Sequence, residues 1–320
     1  MANRRTVLIF VLLVVSGSLA AVFFARSMPA HSDRLISRIA ISNNRTWLAV
    51  GTPGGRIFLW GRDRSRSPRQ VNDQHGSLND LDFSPDGHWL AVASRHLTLY
   101  PVDPKLTRVT VRDDDRNYGS VRFSPDGGNL LTIAGNGATE LIDLPSRSSV
   151  FYSCCSTIYG DVAFAPNQSI YIAGHWPSIW DLPGAQLLAR LTRYREEQSF
   201  GPIAFDRVNN LALMGSQDGR VYAWDLATHQ LRGSSPAHSG YVQTIAVLGE
   251  SGWVAFATLG KPVQLWNVVT GAVRALPDAI ASSNILYDPQ LGGIVLGTAD
   301  GAVVQWLFDG RPGPRVNVIP

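Results

Sequence analysis

The sequence predicts an all-β fold: a seven-bladed β-propeller of four-stranded antiparallel blades, preceded by one N-terminal transmembrane helix. Three observations predict it. One strand-like phrase recurs seven times between residues 39 and 306, a large apolar residue recurs in step with it, and residues 6–25 carry no charge.

The clearest copies of the phrase run from Leu81 to Gly87 and from Val121 to Gly127, both ending Phe-Ser-Pro-Asp-Gly. Looser copies start at Ile39, Val162, Ile203, Ile245 and Ile285. The third residue of each copy serves as an anchor: Ile41, Phe83, Phe123, Phe164, Phe205, Val247 and Tyr287. The steps between anchors are 42, 40, 41, 41, 42 and 40 residues. A fixed period near forty with strand patterning inside it marks propeller blades.

Blade five shows the pattern best. Pro202 to Phe205 is a short apolar inner strand, and Leu211 to Gly215 a second strand after the turn at Asn209 and Asn210. Asp218-Gly219 is a tight hairpin signal. Arg220 to Asp225 then alternates with period two as a third strand, and Gln230 to Arg232 is a short polar outer strand. The third strands end on Trp60, Tyr100, Ile142, Trp180, Trp224, Trp266 and Trp306. A large side chain there fills the wedge between neighbouring blades. No blade buries both of its faces alone, so seven stack and close into a ring.

On the Phe-Ser-Pro-Asp-Gly segments, and on Trp180-Asp181, Trp224-Asp225 and the relaxed Trp266-Asn267, residues 37–320 resemble the WD-repeat β-propeller family. The resemblance implies a non-catalytic protein that holds other proteins together. Family repeats often carry a buried network of His, Ser or Thr, Asp and Trp, and no blade here has all of it. His238 is in place, but its hairpin, Leu259-Gly260-Lys261, has no Asp. Asp218 and Asp300 are in place, but no His precedes their blades. The chain thus resembles a divergent member of that family, and apolar packing between blades is expected to carry its stability.

Four segments follow: a basic tail at 1–5, a span at 6–25, a linker at 26–36 and the propeller at 37–320. Twenty helical residues reach roughly 30 Å, the thickness of the hydrocarbon core. A secretory signal cut after Ser18-Leu19-Ala20 is the competing reading. The apolar run continues through Val22-Phe23-Phe24, which favours an uncleaved anchor. Arg4 and Arg5 favour a cytoplasmic N-terminus and an extracytoplasmic propeller. An inverted anchor, with a cytoplasm-facing scaffold, is the opposing topology. The short linker holds the propeller near the membrane, among other membrane proteins.

The chain has 320 residues, with 28 basic and 25 acidic side chains. A net charge of +3 gives no reason to expect a nucleic-acid partner. Only Lys105 and Lys261 are lysine, as in a GC-rich genome, and a bacterial source is expected. Cys154 and Cys155 adjoin, so they close no long loop.

Catalysis finds no support. Three residues before each anchor stands the channel ring: Arg38, Asp80, Ser120, Asp161, Pro202, Thr244 and Asn284. It holds two carboxylates, one arginine and no histidine. Asp82 and Arg122 stand at equivalent positions of adjacent blades, where they can pair. The seven histidines share no metal-ligand spacing, and Asp113-x-Asp115-x-Asn117 lacks the glycine and glutamate of a calcium loop. No cofactor or metal is expected. The rival class is an extracytoplasmic enzyme or small-ligand binder at the channel mouth formed by Arg38, Asp80 and Asp161.

Two surfaces are candidates for partners. Tyr118, Tyr159 and Phe200 lead into the inner strands of blades three to five, and His175-Trp176 forms a hairpin beside them. These rings either fill gaps between blades or make a docking patch of Tyr118, Tyr159, Trp176, Phe200 and His175. Arg62, Arg64, Arg66 and Arg69 follow the third strand of blade one. They form either a solvated edge that discourages strand pairing or a contact for anionic lipid or an acidic partner.

Overall fold

The structure, a computed structural model, describes residues 34–62, 67–72, 76–152, 160–166, 169–174, 177–182, 185–191, 199–290 and 292–319. The span expected at 6–25, most of the linker and both cysteines lie outside the described residues. Among the described residues no helix is long and apolar enough to cross a membrane.

Seven four-stranded antiparallel sheets follow one another along the chain. Their inner strands are Arg38–Ile41, Asp80–Phe83, Ser120–Phe123, Val162–Phe164, Phe200–Asp206, Thr244–Val247 and Leu286–Asp288. In blade five the other strands are Leu211–Ser216, Val221–Asp225 and Leu231–Ser234, each within two residues of the expected bounds. The inner strand is longer, because Phe200 pairs with Ser216 ahead of a bulge.

The core is seven cores. Each apolar cluster takes residues from two neighbouring blades and from no third. Each contains the third-strand landmark of one of those two blades, and all seven landmarks are buried. At the junction of blades four and five, for example, Trp224 packs among Tyr171, Ile179 and Ala212. Edge-to-face rings add to the packing: Tyr152 meets Trp180 at 5.7 Å and 79°, Tyr171 meets Phe205 at 5.1 Å and 81°.

Local chemistry explains the Ser-Pro-Asp-Gly turns. Ser84 Oγ accepts the Trp89 N–H at 2.9 Å, Asp86 Oδ1 accepts the His88 N–H at 3.0 Å, and Ser84 donates to Asp86 at 2.5 Å. Gly87 closes the turn with φ 74°, a conformation that disfavours a side chain. Blade one keeps the same turn with different residues: Asn44 replaces the aspartate and Arg45 sits at φ 61°. The Asp of the Trp-Asp pair is also a turn residue. Asp225 Oδ1 accepts the N–H groups of Ala227 and Thr228, and Asn267 does the same for Val269 and Thr270.

Blades one and seven each use four consecutive strands and exchange none. Their closure is apolar and hydrogen-bonded. Ile36, Leu48 and Trp60 pack against Val295, Val303 and Ile319. Asn284 bonds both the N–H and the carbonyl of Ile39 at 2.8 Å. Ile36 N–H reaches Thr298 O at 3.1 Å, and Arg45 donates to Tyr287 O at 3.0 Å.

Candidate functional site

All seven ring positions line one cavity of about 660 Å³ at the channel mouth. The mouth is open, and its wall is already committed to holding blades together. An inner strand leaves backbone N–H groups facing the channel, and an unpaired buried N–H costs about 1–3 kcal/mol. The ring residue of one blade accepts the N–H of the next. Asp80 Oδ2 takes Val121 at 3.2 Å, Asp161 Oδ2 takes Ile203 at 3.1 Å, Thr244 Oγ1 takes Ile285 at 2.6 Å, and Asn284 takes Ile39.

Arg122 sits at the centre of the charged half. Its guanidinium bonds Asp80, and Asp161 at 3.1 Å, and Ser120 Oγ donates to both carboxylates. Asp82 instead accepts the Phe123 N–H at 2.7 Å. The expected pairing of Asp82 with Arg122 is thus corrected: the two attract each other, but the guanidinium bonds go to Asp80 and Asp161, which reach it from both sides. Withdrawal from bulk water raises the Asp82 carboxyl to about 7, against the pull of Arg122. Burial works against the Arg122 charge too, yet the carboxylates of Asp161, Asp80 and Asp82 hold it above its ordinary value. Arg38 gives its Nε–H to Asn79 O at 2.6 Å and stands 4.0 Å from Asp80.

The aromatic patch separates into parts. Tyr118 is 0 % exposed and Phe200 3 %, so neither is available to a partner, and the expectation that they form a docking surface is corrected. In several blades the residue five before the anchor is a wedge over the small residue at the end of the second strand of the preceding blade. Leu78 covers Gly51 and Ile36 covers Gly297, and a side chain at either glycine would collide with its cover. Tyr118 clusters with Ala93 and Phe200 with Ala173 in the same way. Small residues at those strand ends were the available signal. Tyr159, His175 and Trp176 lie outside the described residues.

The basic patch is corrected in part as well. Arg62 is ion-paired to the buried Asp288 of blade seven, and Arg69 donates to Val102 O of blade two at 2.9 Å. Burial lowers the Arg69 pKa despite Asp103. Both arginines staple junctions instead of facing lipid. Arg64 and Arg66 lie outside the described residues.

The loop at 113–117 is a staple too: Asp115 pairs with Arg95 at 2.8 Å and Asp113 with His96 at 3.0 Å. His238 stands without the hairpin aspartate that the resemblance implies. Its Nε2 is buried with no hydrogen-bond partner among the described residues, and burial, with Lys261 nearby, lowers its pKa.

One feature went unread in the sequence. Between blades six and seven, on the face of the turns that join first to second and third to fourth strands, lies an apolar groove of about 590 Å³. Trp253, Tyr287 and Phe308 line it over Leu248 and Leu265, with Glu250 and Arg274 at its rim. Tyr287 and Phe308 stack at 5.9 Å and 22°. Blade six departs from the repeat here, with Val247 for the usual phenylalanine and Leu248-Gly249-Glu250-Ser251 for Ser-Pro-Asp-Gly.

Fold and site define a seven-bladed repeat propeller whose channel wall is structural. Residues 24–61 and 66–100 match the family model described as WD domain, G-beta repeat. Among curated proteins, the chain is similar to Protein LST8 homolog of Drosophila melanogaster, 28% identical over 124 residues, 34% of this chain and 40% of that protein. It is similar to Periodic tryptophan protein 2 of Saccharomyces cerevisiae, 23% identical over 247 residues, 73% of this chain and 26% of that protein. An uncharacterized WD repeat-containing protein of Synechocystis is 24% identical over 143 residues, 44% of this chain and 41% of that protein. The chain thus spans well under half the length of these relatives. Most of the similar proteins are eukaryotic, so they lend no weight to the expected bacterial source.

Proposed function

We propose that this chain is a non-catalytic propeller that holds protein partners, tethered to a membrane by residues 6–25 with the propeller on the extracytoplasmic side. It serves as an accessory or assembly subunit of a membrane protein complex. The carrying observation is the saturation of the channel ring. The carboxylates of Asp80 and Asp161 each accept a neighbouring blade's N–H, the Ser120 hydroxyl and the Arg122 guanidinium, so they hold the ring and are not free to act on a substrate.

Affinity purification from mild detergent, read by mass spectrometry, tests the scaffold: a reproducible set of membrane proteins is expected, and none would sink it. Protease digestion of intact cells or spheroplasts tests the topology, since an extracytoplasmic propeller is cut without lysis. The open mouth supports a second reading, a small-ligand binder there. A metabolite screen by thermal shift that stabilises the wild type, and less so Tyr241→Phe, would favour it. Tyr241 lines that cavity, and its buried hydroxyl has no hydrogen-bond partner among the described residues.

A further inference from the structure

The groove between blades six and seven carries one unanswered charge at its rim. Arg274 donates to Asp309 O at 2.8 Å, and the Asp309 carboxylate lies within its field. Glu250, on the opposite rim, is exposed and makes no hydrogen bond or ion pair among the described residues. The floor is apolar and aromatic, and exposed valines stand on the side toward blade five. Val269 is 66 % exposed and packs beside Gly252, and Val208 is 58 % exposed next to Asn209, which borders the same glycine. Exposed apolar side chains beside a concave aromatic pocket are the form of a protein interaction site.

The first described residues stand on the other side of the ring. Arg34 lies beside the Gly301 hairpin, and Ile36 bonds Thr298 in the same hairpin. Hairpins between second and third strands occupy the face opposite the groove.

We propose that this groove docks a protein segment that inserts one aromatic or branched aliphatic side chain between Trp253, Tyr287 and Phe308 and sets a lysine or arginine against Glu250. The inference deepens the scaffold reading and rests on it for its biological setting.

The test selects a random short-peptide display library on the full chain in mild detergent. It then measures the selected synthetic peptide by fluorescence anisotropy. Enriched peptides should share an apolar anchor with a basic residue close by. Glu250→Arg should weaken the peptide about tenfold or more, as a like-charge contact at a rim does, with the melting temperature unchanged. Phe308→Ala should weaken it by about thirtyfold, the loss expected of an anchor pocket. Where Phe308→Ala unfolds, Glu250→Arg carries the test alone.

No enrichment over the Glu250→Arg chain overturns the proposal, and so does a peptide that binds both chains equally. A photo-crosslinker at position 251 that captures a second copy, or residues 1–33, assigns the groove to those occupants and overturns it as well. Proteins recovered equally by wild type and Glu250→Arg leave the scaffold standing and sink the groove. Recovery of none sinks the scaffold, while the peptide selection still judges the groove.

Discussion

The two halves of the channel ring do the same work with different chemistry. In blades one to four the seams are held by Arg38, Asp80, Ser120, Arg122 and Asp161, a network of charges. In blades six and seven the same backbone N–H groups are met by Thr244 and Asn284, which carry no charge. Four blades place an acceptor at that position, two charged and two neutral, and the bond it makes is the same, while Arg38 and Pro202 offer none. The carboxylates of the charged half thus need no catalytic explanation. They also carry a burden that the neutral half does not, because two acids and their neighbour Asp82 are withdrawn from water around one guanidinium.

The comparison breaks most directly at Arg122. Arg122→Met leaves Asp80 and Asp161 facing each other without their shared cation, and should cost about 3 kcal/mol, the low end for an uncompensated buried charge. Urea unfolding of the propeller measures it. An unchanged midpoint would mean that the charged half is ornamental.

In the neutral half, Thr244→Val removes only an acceptor. It should cost about 1–2 kcal/mol by leaving the Ile285 N–H unpaired. If it matches the Arg122 loss, the two halves are not different in kind.

A further difference separates the halves by pH. Asp82 has a folded pKa raised from about 3.8 to about 7, so the folded state holds its proton more tightly than the unfolded chain does. Its contribution is therefore fully favourable below the unfolded value and is lost as pH rises toward 7. Wild type should lose stability across that window relative to Asp82→Asn, whose amide oxygen still accepts the Phe123 N–H. Parallel melting curves from pH 4 to 8 would refute this. Asp86 and Asp126, lowered chiefly by the serine hydroxyls they accept, act with the opposite sign and lose their contribution as pH falls through the acid range.

The smallest expected change is at Tyr118. Tyr118→Phe removes the hydroxyl that donates to Asp114 at 2.9 Å and keeps the buried ring, at a cost of about 1 kcal/mol. Partner recovery should not change. Its loss on this conservative substitution would restore Tyr118 to a binding role.

The repeat itself was legible because strand alternation and turn residues are local. Anchor spacing located every inner strand, and the third-strand landmarks from Trp60 to Trp306 all fell in junctions between blades. What the sequence concealed was direction and distance. Tyr118 and Phe200 occupy positions whose role depends on Ala93 and Ala173 in another blade. Arg62 looked like one of four free arginines, yet its partner, Asp288, lies 226 residues away. The groove was hidden for the same reason: Trp253 and Phe308 belong to different blades, and no local pattern ties them together.

Seven cores shared between neighbours also set an order of events during synthesis. The face of blade one built from Ile39, Leu48, Val50 and Trp60 is complete when its last residue leaves the ribosome. Its cover comes from Val295, Val303, Val318 and Ile319. At the usual pace of translation, that sticky surface waits roughly ten to fifty seconds for its partner. A chain halted or nicked before blade seven is therefore a half-ring with two greasy ends, suited to chaperones, to proteases or to another half-ring.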